Sequence, residues 1–188
     1  MARPLSDEKH EAILVSATRI IAAEGVSAPT AKIARDAGIA GGTLFTYFAT
    51  KDALLNALYR ALKAEIAEAI LDGYPERASA KVRARHVWDR YVGWGIHESV
   101  KRQTMAQLAV SHRVSQEAMS DALEPLLPLD TMLADTVDGS TGLTNGHVAA
   151  IMTALANVTI DFADRDPGNA ANHSTLGFDA FWRAVAER

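Results

Sequence analysis

An all-α fold is predicted by three observations on this 188-residue chain. Apolar residues recur at helical spacing, alternation of β-branched residues is nowhere sustained, and alanine is abundant. Prolines fall outside the periodic segments or interrupt one of them, as Pro125 and Pro128 do. About nine helices are therefore expected, with a three-helix N-terminal domain followed by a larger helical domain.

The first helix is expected to begin after Ser6 and to end at Glu24. The Ser6 side chain can accept a hydrogen bond from a free backbone N–H group, and Asp7 and Glu8 suit the positive end of the helix dipole. Apolar residues then recur on one face, at Ile13, Leu14, Ala17, Ile20 and Ile21. This pattern predicts an amphipathic helix that packs on the rest of a small domain.

The stretch from Thr30 to Lys51 predicts two short helices joined by a tight turn, followed by the start of a fourth helix. Thr30 is expected to cap the first of the two, and Gly38 lies where the chain must turn, a position that favours positive φ. A connection of three or four residues is typical of a helix-turn-helix, which places its second helix in a DNA groove. Without further information, two amphipathic helices around a turn are an equally good interpretation.

The order of residues from Ile33 to Leu55 decides between these interpretations. It reads Ile-Ala-x-x-Ala-Gly-Ile-x-x-Gly-Thr-Leu-Phe-x-Tyr-Phe-x-x-Lys-x-x-Leu-Leu, which resembles the signature of the TetR (tetracycline-repressor) family. The resemblance covers about residues 6–60 at the level of motifs and is architectural beyond them. It implies a helix-turn-helix DNA-binding domain at residues 1–51 and an effector-binding and dimerisation domain at residues 52–188.

The resemblance also implies a function. Similar proteins are homodimeric regulators of transcription, most often repressors that a small, largely apolar organic effector releases from a palindromic operator in double-stranded DNA. A DNA-binding protein without a small effector, architectural or controlled by a protein partner, remains the alternative. Both interpretations share the N-terminal domain, and a stability response to small hydrophobic compounds would separate them.

The family's contacts with phosphates and bases can be carried over to matching positions of this chain. The implied DNA-binding residues are Thr30, Lys32, Gly41, Gly42, Thr43, Thr46, Tyr47 and Lys51. Phe45 stands where members of the family commonly have tyrosine, so one hydroxyl that would contact a phosphate is missing. Recognition is therefore expected to depend on Thr43, Thr46, Tyr47 and the shape of the DNA.

Aromatic and methionine side chains beyond residue 80 are candidates for an effector pocket, because they combine apolar surface with a few polar atoms. The candidates are Trp88, Tyr91, Trp94, Met105, Leu108, Met119, Leu123 and Met152. For any one of them, ordinary core packing is the more common role.

The last two helices carry large apolar residues, which the resemblance assigns to a dimer interface. The candidates are Leu155, Phe162, Phe178, Phe181, Trp182 and Val185. The alternative is that these helices only close the pocket from behind. A twofold dimer would hold two DNA-binding domains about 34 to 36 Å apart, the distance between successive major grooves.

Composition limits the classes of function. Residues 1–51 contain six Lys and Arg against five Asp and Glu, whereas the remainder contains 13 against 18, so only the N-terminal part is not acidic. There is no cysteine, no His-Glu-x-x-His pattern and no phosphate-binding loop, so neither catalysis nor a metal or other cofactor is expected. No apolar run of 18 to 20 residues and no signal peptide is visible, which predicts a cytoplasmic protein without a membrane partner.

Overall fold

The computed structural model describes residues 6–137 and 142–186, and these residues form ten α-helices, two 3₁₀ helices and no strand. The α-helices are α1 (Asp7–Glu24), α2 (Thr30–Asp36), α3 (Gly41–Tyr47), α4 (Lys51–Leu71), α5 (Ala80–His97), α6 (Ser99–Val110), α7 (Gln116–Asp121), α8 (Asp130–Thr136), α9 (Asn145–Arg165) and α10 (Ala170–Ala186). The 3₁₀ helices are Glu124–Leu129 and Pro167–Asn169. The predicted all-α fold with an N-terminal helix-turn-helix is confirmed.

The described part of the chain has one more α-helix than the nine expected, because the segment that Pro125 and Pro128 interrupt forms two separate α-helices. The α7 helix ends at Asp121, and Pro125 and Pro128 lie in the 3₁₀ helix that follows. Proline has no N–H group to donate and clashes with the preceding helical turn. A new α-helix, α8, therefore begins only at Asp130.

The predicted cap at Ser6 is present, and Thr50 caps the start of α4. The Ser6 hydroxyl accepts a hydrogen bond from the Lys9 N–H group at 3.4 Å, and Thr50 accepts one from Ala53 at 3.0 Å. The prediction that Thr30 caps α2 is wrong, because Thr30 is already the first helical residue and the extended residue before it is Pro29. The proline side chain has no acceptor, so α2 begins without a side-chain cap.

The chain forms two compact units. The first contains the residues up to 64 together with 99–124, and the second contains 65–98 and the residues from 125 onward. The α6 helix therefore packs with the N-terminal helices, and its Thr104 hydroxyl donates a hydrogen bond to the Thr18 carbonyl oxygen of α1 at 2.7 Å. These units differ in extent from the predicted domains 1–51 and 52–188, which remain a prediction about where the functions divide.

Each unit has its own apolar core. In the first unit, fully buried side chains come from α1, α2, α3, α4 and α6, including Ile13, Ile21, Ile33, Leu44, Leu54, Leu55 and Leu108. In the second unit, α10 packs on α9 and α5, and Trp88 of α5 is fully buried beside Phe178 and Phe181. The Trp88 indole N–H group donates to both oxygens of Ser174 at 3.1 Å, which fixes the ring within this core.

The α9 helix qualifies the expectation that no stretch suits a membrane. It is the one helix in the described ranges that is long and apolar enough to span a bilayer by length and composition alone, with a mean hydropathy of 1.3. Core helices of soluble proteins pass the same test. Val148, Ala156 and Ile160 of α9 are fully buried against its neighbours, and 33% of its most apolar window is buried in all.

Candidate nucleic-acid interface

The turn between α2 and α3 has the geometry of a helix-turn-helix. Gly38 has a φ of +68°, which L side chains rarely adopt, so this turn requires glycine. The Ile39 N–H group donates to the Ala34 carbonyl oxygen at 3.0 Å and closes the turn. Ile33 of α2 and Leu44 of α3 are fully buried in the same core, which fixes the angle between the two helices.

The opposite side of α3 is exposed, and we refer to Gly41, Gly42, Thr43, Phe45 and Thr46 as the α3 face. Four of these residues are exposed and Thr43 is half-buried. A Cβ atom added to either glycine would meet no atom within 4 Å, and neither glycine has a positive φ. Nothing in the described structure therefore requires glycine at these two positions, and the pair leaves the backbone open to close approach by another molecule.

The polar side chains expected to contact phosphates are already engaged within the protein. Lys32 forms an ion pair with Glu24, and the Lys51 ammonium donates to the Ala28 carbonyl oxygen at 2.6 Å. The Tyr47 hydroxyl accepts a hydrogen bond from the Ser6 N–H group at 3.0 Å. Each group keeps further donor capacity, because an ammonium has three donors and a phenol can still donate its own proton.

Lys51 is held at the start of α4 in a partly desolvated position. Burial is the main cause that lowers its pKa from the usual lysine value, Arg113 lowers it further, and Asp52 opposes both. The hydrogen bond to Ala28 fixes the ammonium beside the first turn of α4, where backbone N–H groups are also available. Thr30 is half-buried at the first position of α2.

Two residues on this side of the unit were missing from the predicted set. Arg35 of α2 is exposed, and no ion pair joins its guanidinium to another described residue. Arg35 lies three residues after Lys32, and this spacing could have shown from the sequence that the two cations share one face of α2. Phe45 is 49% exposed, although in the sequence it was noted only for the hydroxyl that it lacks.

The eight candidates for the effector pocket divide equally between the two units. Met105, Leu108, Met119 and Leu123 belong to the first unit, and Trp88, Tyr91, Trp94 and Met152 belong to the second. Leu108 is fully buried in the core of the first unit, which Met105 and Met119 also contact, whereas Leu123 is 55% exposed. The assignment of these residues to one pocket remains a prediction.

The polar atoms expected to face a ligand have protein partners. The Tyr91 hydroxyl donates to Asn157 Oδ1 at 3.1 Å, and the Trp94 indole N–H group donates to Glu65 Oε1 at 3.0 Å. Trp94 borders a cleft of about 360 Å³ in the second unit, lined by Ala69, Asp89, Arg90, Gly93, Trp94, His97 and Glu98. Three of these seven residues, Asp89, Arg90 and Glu98, are charged, so the cleft is a poor match for a largely apolar effector.

The predicted dimer residues lie on two sides of the last helices. Phe178, Phe181 and Val185 are buried in the core, so a second molecule cannot contact them directly. Leu155 and Trp182 are half-buried, and Phe162 is 51% exposed. Val158 and Leu176, which the prediction missed, are 52% and 58% exposed. We refer to Val158, Phe162 and Leu176 as the α9–α10 face, and an open cleft of about 390 Å³ lies among them.

Comparison with known proteins gives one family and several solved folds. Residues 13–58, which lie in α1 to α4, match the model of bacterial regulatory proteins of the tetR family. A chain from Shewanella sp. PV-4 assigned to the tetR family of transcription regulators is 26% identical, with a TM-score of 0.82 over 97% of this chain and 100% of that one. A TetR family regulator from Marinobacter aquaeolei VT8 is 21% identical, with a TM-score of 0.78 over 97% of both chains.

A further similar structure was solved with a bound molecule. It is the transcriptional regulator FadR from Bacillus subtilis in complex with stearoyl-CoA, which is 20% identical, with a TM-score of 0.69 over 95% of this chain and 99% of that one. The similarity in fold therefore extends over nearly the whole chain, whereas the family model covers only the helices that build the α3 face. Within the described residues, no group of three or more His, Cys, Asp or Glu side chains is placed to hold a metal ion.

Proposed function

The chain belongs to the TetR family of transcription regulators, and from this premise we propose that it is a homodimeric repressor released from a palindromic operator by a small, largely apolar organic effector. The observation that carries the DNA-binding part is the α3 face, a helix surface of small and hydroxyl-bearing residues on a helix-turn-helix. Regulators of this family are non-enzymatic DNA-binding transcription factors, and in general they are soluble and cytoplasmic.

In the proposed complex, α3 lies in the major groove. The hydroxyls of Thr43 and Thr46 contact base edges or phosphates, and their methyl groups suit thymine. Lys51 and Tyr47 contact phosphates with the donor capacity that their internal hydrogen bonds leave free, and Thr30 and Lys32 contact the backbone from α2. Gly41 and Gly42 let the first turn of α3 approach the DNA closely.

The α9–α10 face supports the proposed dimer. Three large apolar side chains more than half exposed and close together are unusual on a monomer and are typical of a protein contact. A second copy that covers Val158, Phe162 and Leu176 would bury them at a twofold axis, because such an axis pairs a surface with itself. Two α3 helices could then engage the two halves of a palindrome.

The effector is supported by the solved complex of a similar fold with stearoyl-CoA and by the aromatic and methionine candidates of both units. Binding of the effector would favour a conformation in which the two α3 helices no longer match the groove spacing, and the population able to bind DNA would fall. The α4 helix, which continues from residues of the first unit to residues of the second, is the proposed connection.

The function is tested by selecting binding sites from a random-sequence duplex library with the purified protein. We expect one palindromic motif, which the double variant Thr43→Ala/Thr46→Ala loses. Alanine favours helix formation, so this variant keeps the fold while it removes both hydroxyls from the α3 face. Thr131→Ala is the matched control, because Thr131 is an exposed threonine on α8.

The outcomes separate the parts of the proposal. Selection by the wild type and the control, with loss in the double variant, supports sequence-specific DNA binding through α3. A folded wild-type protein that enriches no motif contradicts it. If a motif is found but no small apolar compound raises the melting temperature or weakens DNA binding, the alternative without a small effector is favoured.

A further inference from the structure

We infer that Phe45 reads the 5-methyl group of a thymine in each half of the operator, and that this contact is a main source of base specificity. The inference rests on the proposed function, because it requires α3 to lie in the major groove. It adds a specificity-determining residue and a base identity to that proposal.

Phe45 is an exposed aromatic residue on a helix that other residues anchor to the core. Its side chain is 49% exposed on a helix of the compact first unit, and it makes no ring contact with another described aromatic residue. The neighbouring Leu44 and Phe48 are 0% and 5% exposed, so α3 already has the apolar residues that anchor it to the core. The ring of Phe45 therefore contributes little to the fold and leaves a large apolar surface in water.

The position of Phe45 on α3 leaves its ring uncrowded by neighbouring side chains. A helical side chain leans toward the preceding turn, which here contains Gly41 and Gly42. Neither has a side chain, and a Cβ atom at either would meet nothing within 4 Å. The ring is thus the largest group on the α3 face, and its surroundings leave it free to contact a base edge.

The electrostatics of this side of the unit are weak. Lys32 is paired with Glu24, Arg19 is paired with Asp36, and the Lys51 ammonium is bonded to a backbone carbonyl. These groups can still donate to phosphates, but acidic partners offset the charge of two of them, so a larger part of the affinity must come from close contacts with the bases.

The chemistry of the major groove then selects the base. Phenylalanine has no hydrogen-bonding group, so it cannot distinguish the donors and acceptors of guanine, cytosine or adenine. Thymine alone presents a methyl group in the major groove, and an apolar side chain that covers it removes both surfaces from water. A phenylalanine at this position therefore favours thymine over the other three bases.

The test compares thymine with uracil, which differs only by that methyl group. The palindrome selected by the wild-type protein is resynthesised with each thymine replaced in turn by deoxyuridine, symmetrically in both halves, and the dissociation constants are measured. We expect one position at which uracil weakens wild-type binding about fourfold for each half-site, the amount that one buried methyl group contributes. In Phe45→Ala, binding to the thymine and uracil duplexes should differ by less than about 1.5-fold at that position.

Val82→Ala is the control, since Val82 is an apolar residue of similar exposure on α5, outside the α3 face. It should keep both the overall affinity and the full thymine preference at that position. Because Phe45 is exposed, the alanine variant should fold normally, which its circular dichroism and melting temperature verify.

Two outcomes would overturn this inference and leave the proposed function standing. In one, the wild type and Phe45→Ala distinguish thymine from uracil equally well at every position. In the other, the wild type distinguishes thymine from uracil at no position of the palindrome. A folded wild-type protein that selects no palindrome overturns both the inference and the proposed function.

Discussion

The α3 face and the α9–α10 face are both surfaces that the protomer leaves uncovered, but they are built from opposite kinds of residue. The α3 face has two glycines, two threonines and one phenylalanine, and it stands on a helix of seven residues. The α9–α10 face has three large apolar residues on helices of 21 and 17 residues. The first suits a polar groove that requires close approach, and the second suits another apolar surface.

The glycines near the two faces show the same contrast. Gly41 and Gly42 have open space where a side chain would begin, whereas a Cβ at Gly177 of α10 would clash with the Thr159 hydroxyl and lie 2.7 Å from Cζ2 of Trp88. Internal packing therefore requires glycine at position 177, beneath the α9–α10 face. No internal contact among the described residues requires glycine at positions 41 and 42 of the α3 face. A glycine without an internal reason points to an external one.

The largest expected effect comes from placing charge on the α9–α10 face. The double variant Phe162→Glu/Leu176→Glu should raise the dimer dissociation constant by more than about 100-fold, because each carboxylate would be buried without a partner at the interface. Sedimentation equilibrium should then give a monomer. DNA affinity should fall with it, since one DNA-binding domain contacts only one half-site.

The matched control for this variant is Val82→Glu, which adds a carboxylate at a valine that is 52% exposed on α5. It should leave the association state unchanged. A double variant that remains dimeric would show that the copies pair through another surface, and the α9–α10 face would then not be the dimer interface.

The sequence predicted those elements whose signals are local. The Ser6 cap marks the start of α1, and Gly38 marks the turn that needs positive φ. The orientation of α10 was not predictable in this way. Phe178, Phe181, Trp182 and Val185 share one stripe of α10, and periodicity alone does not tell whether that stripe faces the core of its own protomer or a second copy. The structure buries Phe178, Phe181 and Val185 in the core.

Contacts between residues that are distant in the chain could not be predicted from the sequence either. The ion pair of Lys32 with Glu24 joins residues on two helices, and the bond of Lys51 to the Ala28 oxygen crosses 23 positions of the chain. Both depend on the angle between helices, which the core sets. For the same reason, the exposure of Phe45 became meaningful only when Leu44 and Phe48 were seen to anchor α3.

The next largest effect is expected from Gly177→Ala. Trp88 is fully buried and held by Ser174, so it cannot move away from the added methyl group. We expect the free energy of unfolding to fall by about 1 to 3 kcal/mol, the usual cost of overpacking a core. Urea denaturation measures this change, and a variant as stable as the wild type would mean that the core under the α9–α10 face is loosely packed.

Gly42→Ala should stabilise the fold and weaken DNA binding, whereas Gly177→Ala should destabilise the fold. The free energy of unfolding should rise by about 0.4 to 1 kcal/mol, because alanine restricts the unfolded chain and meets no atom in the folded one. Affinity for the selected palindrome should nevertheless fall about tenfold for each half-site, the cost of one disturbed base contact. Fluorescence anisotropy and urea denaturation of the same preparation give both values. Unchanged affinity would show that the backbone of α3 does not approach the DNA closely at this position.

The smallest expected effect concerns salt. With Lys32 and Arg19 in ion pairs, Arg35 is the exposed cation near α3 whose guanidinium has no ion pair within the described ranges. Each neutralised phosphate adds about 0.9 to the slope of log affinity against log salt concentration, so a dimer with one or two such contacts per protomer should give a slope of about −2 to −4. Arg35→Gln should reduce the magnitude of this slope by about 1.8, because it removes one phosphate contact in each half-site. Arg77→Gln, an exposed arginine between α4 and α5, should leave it unchanged. A slope near −10 would mean that phosphate contacts dominate, and the α3 face would then position the protein without reading the sequence.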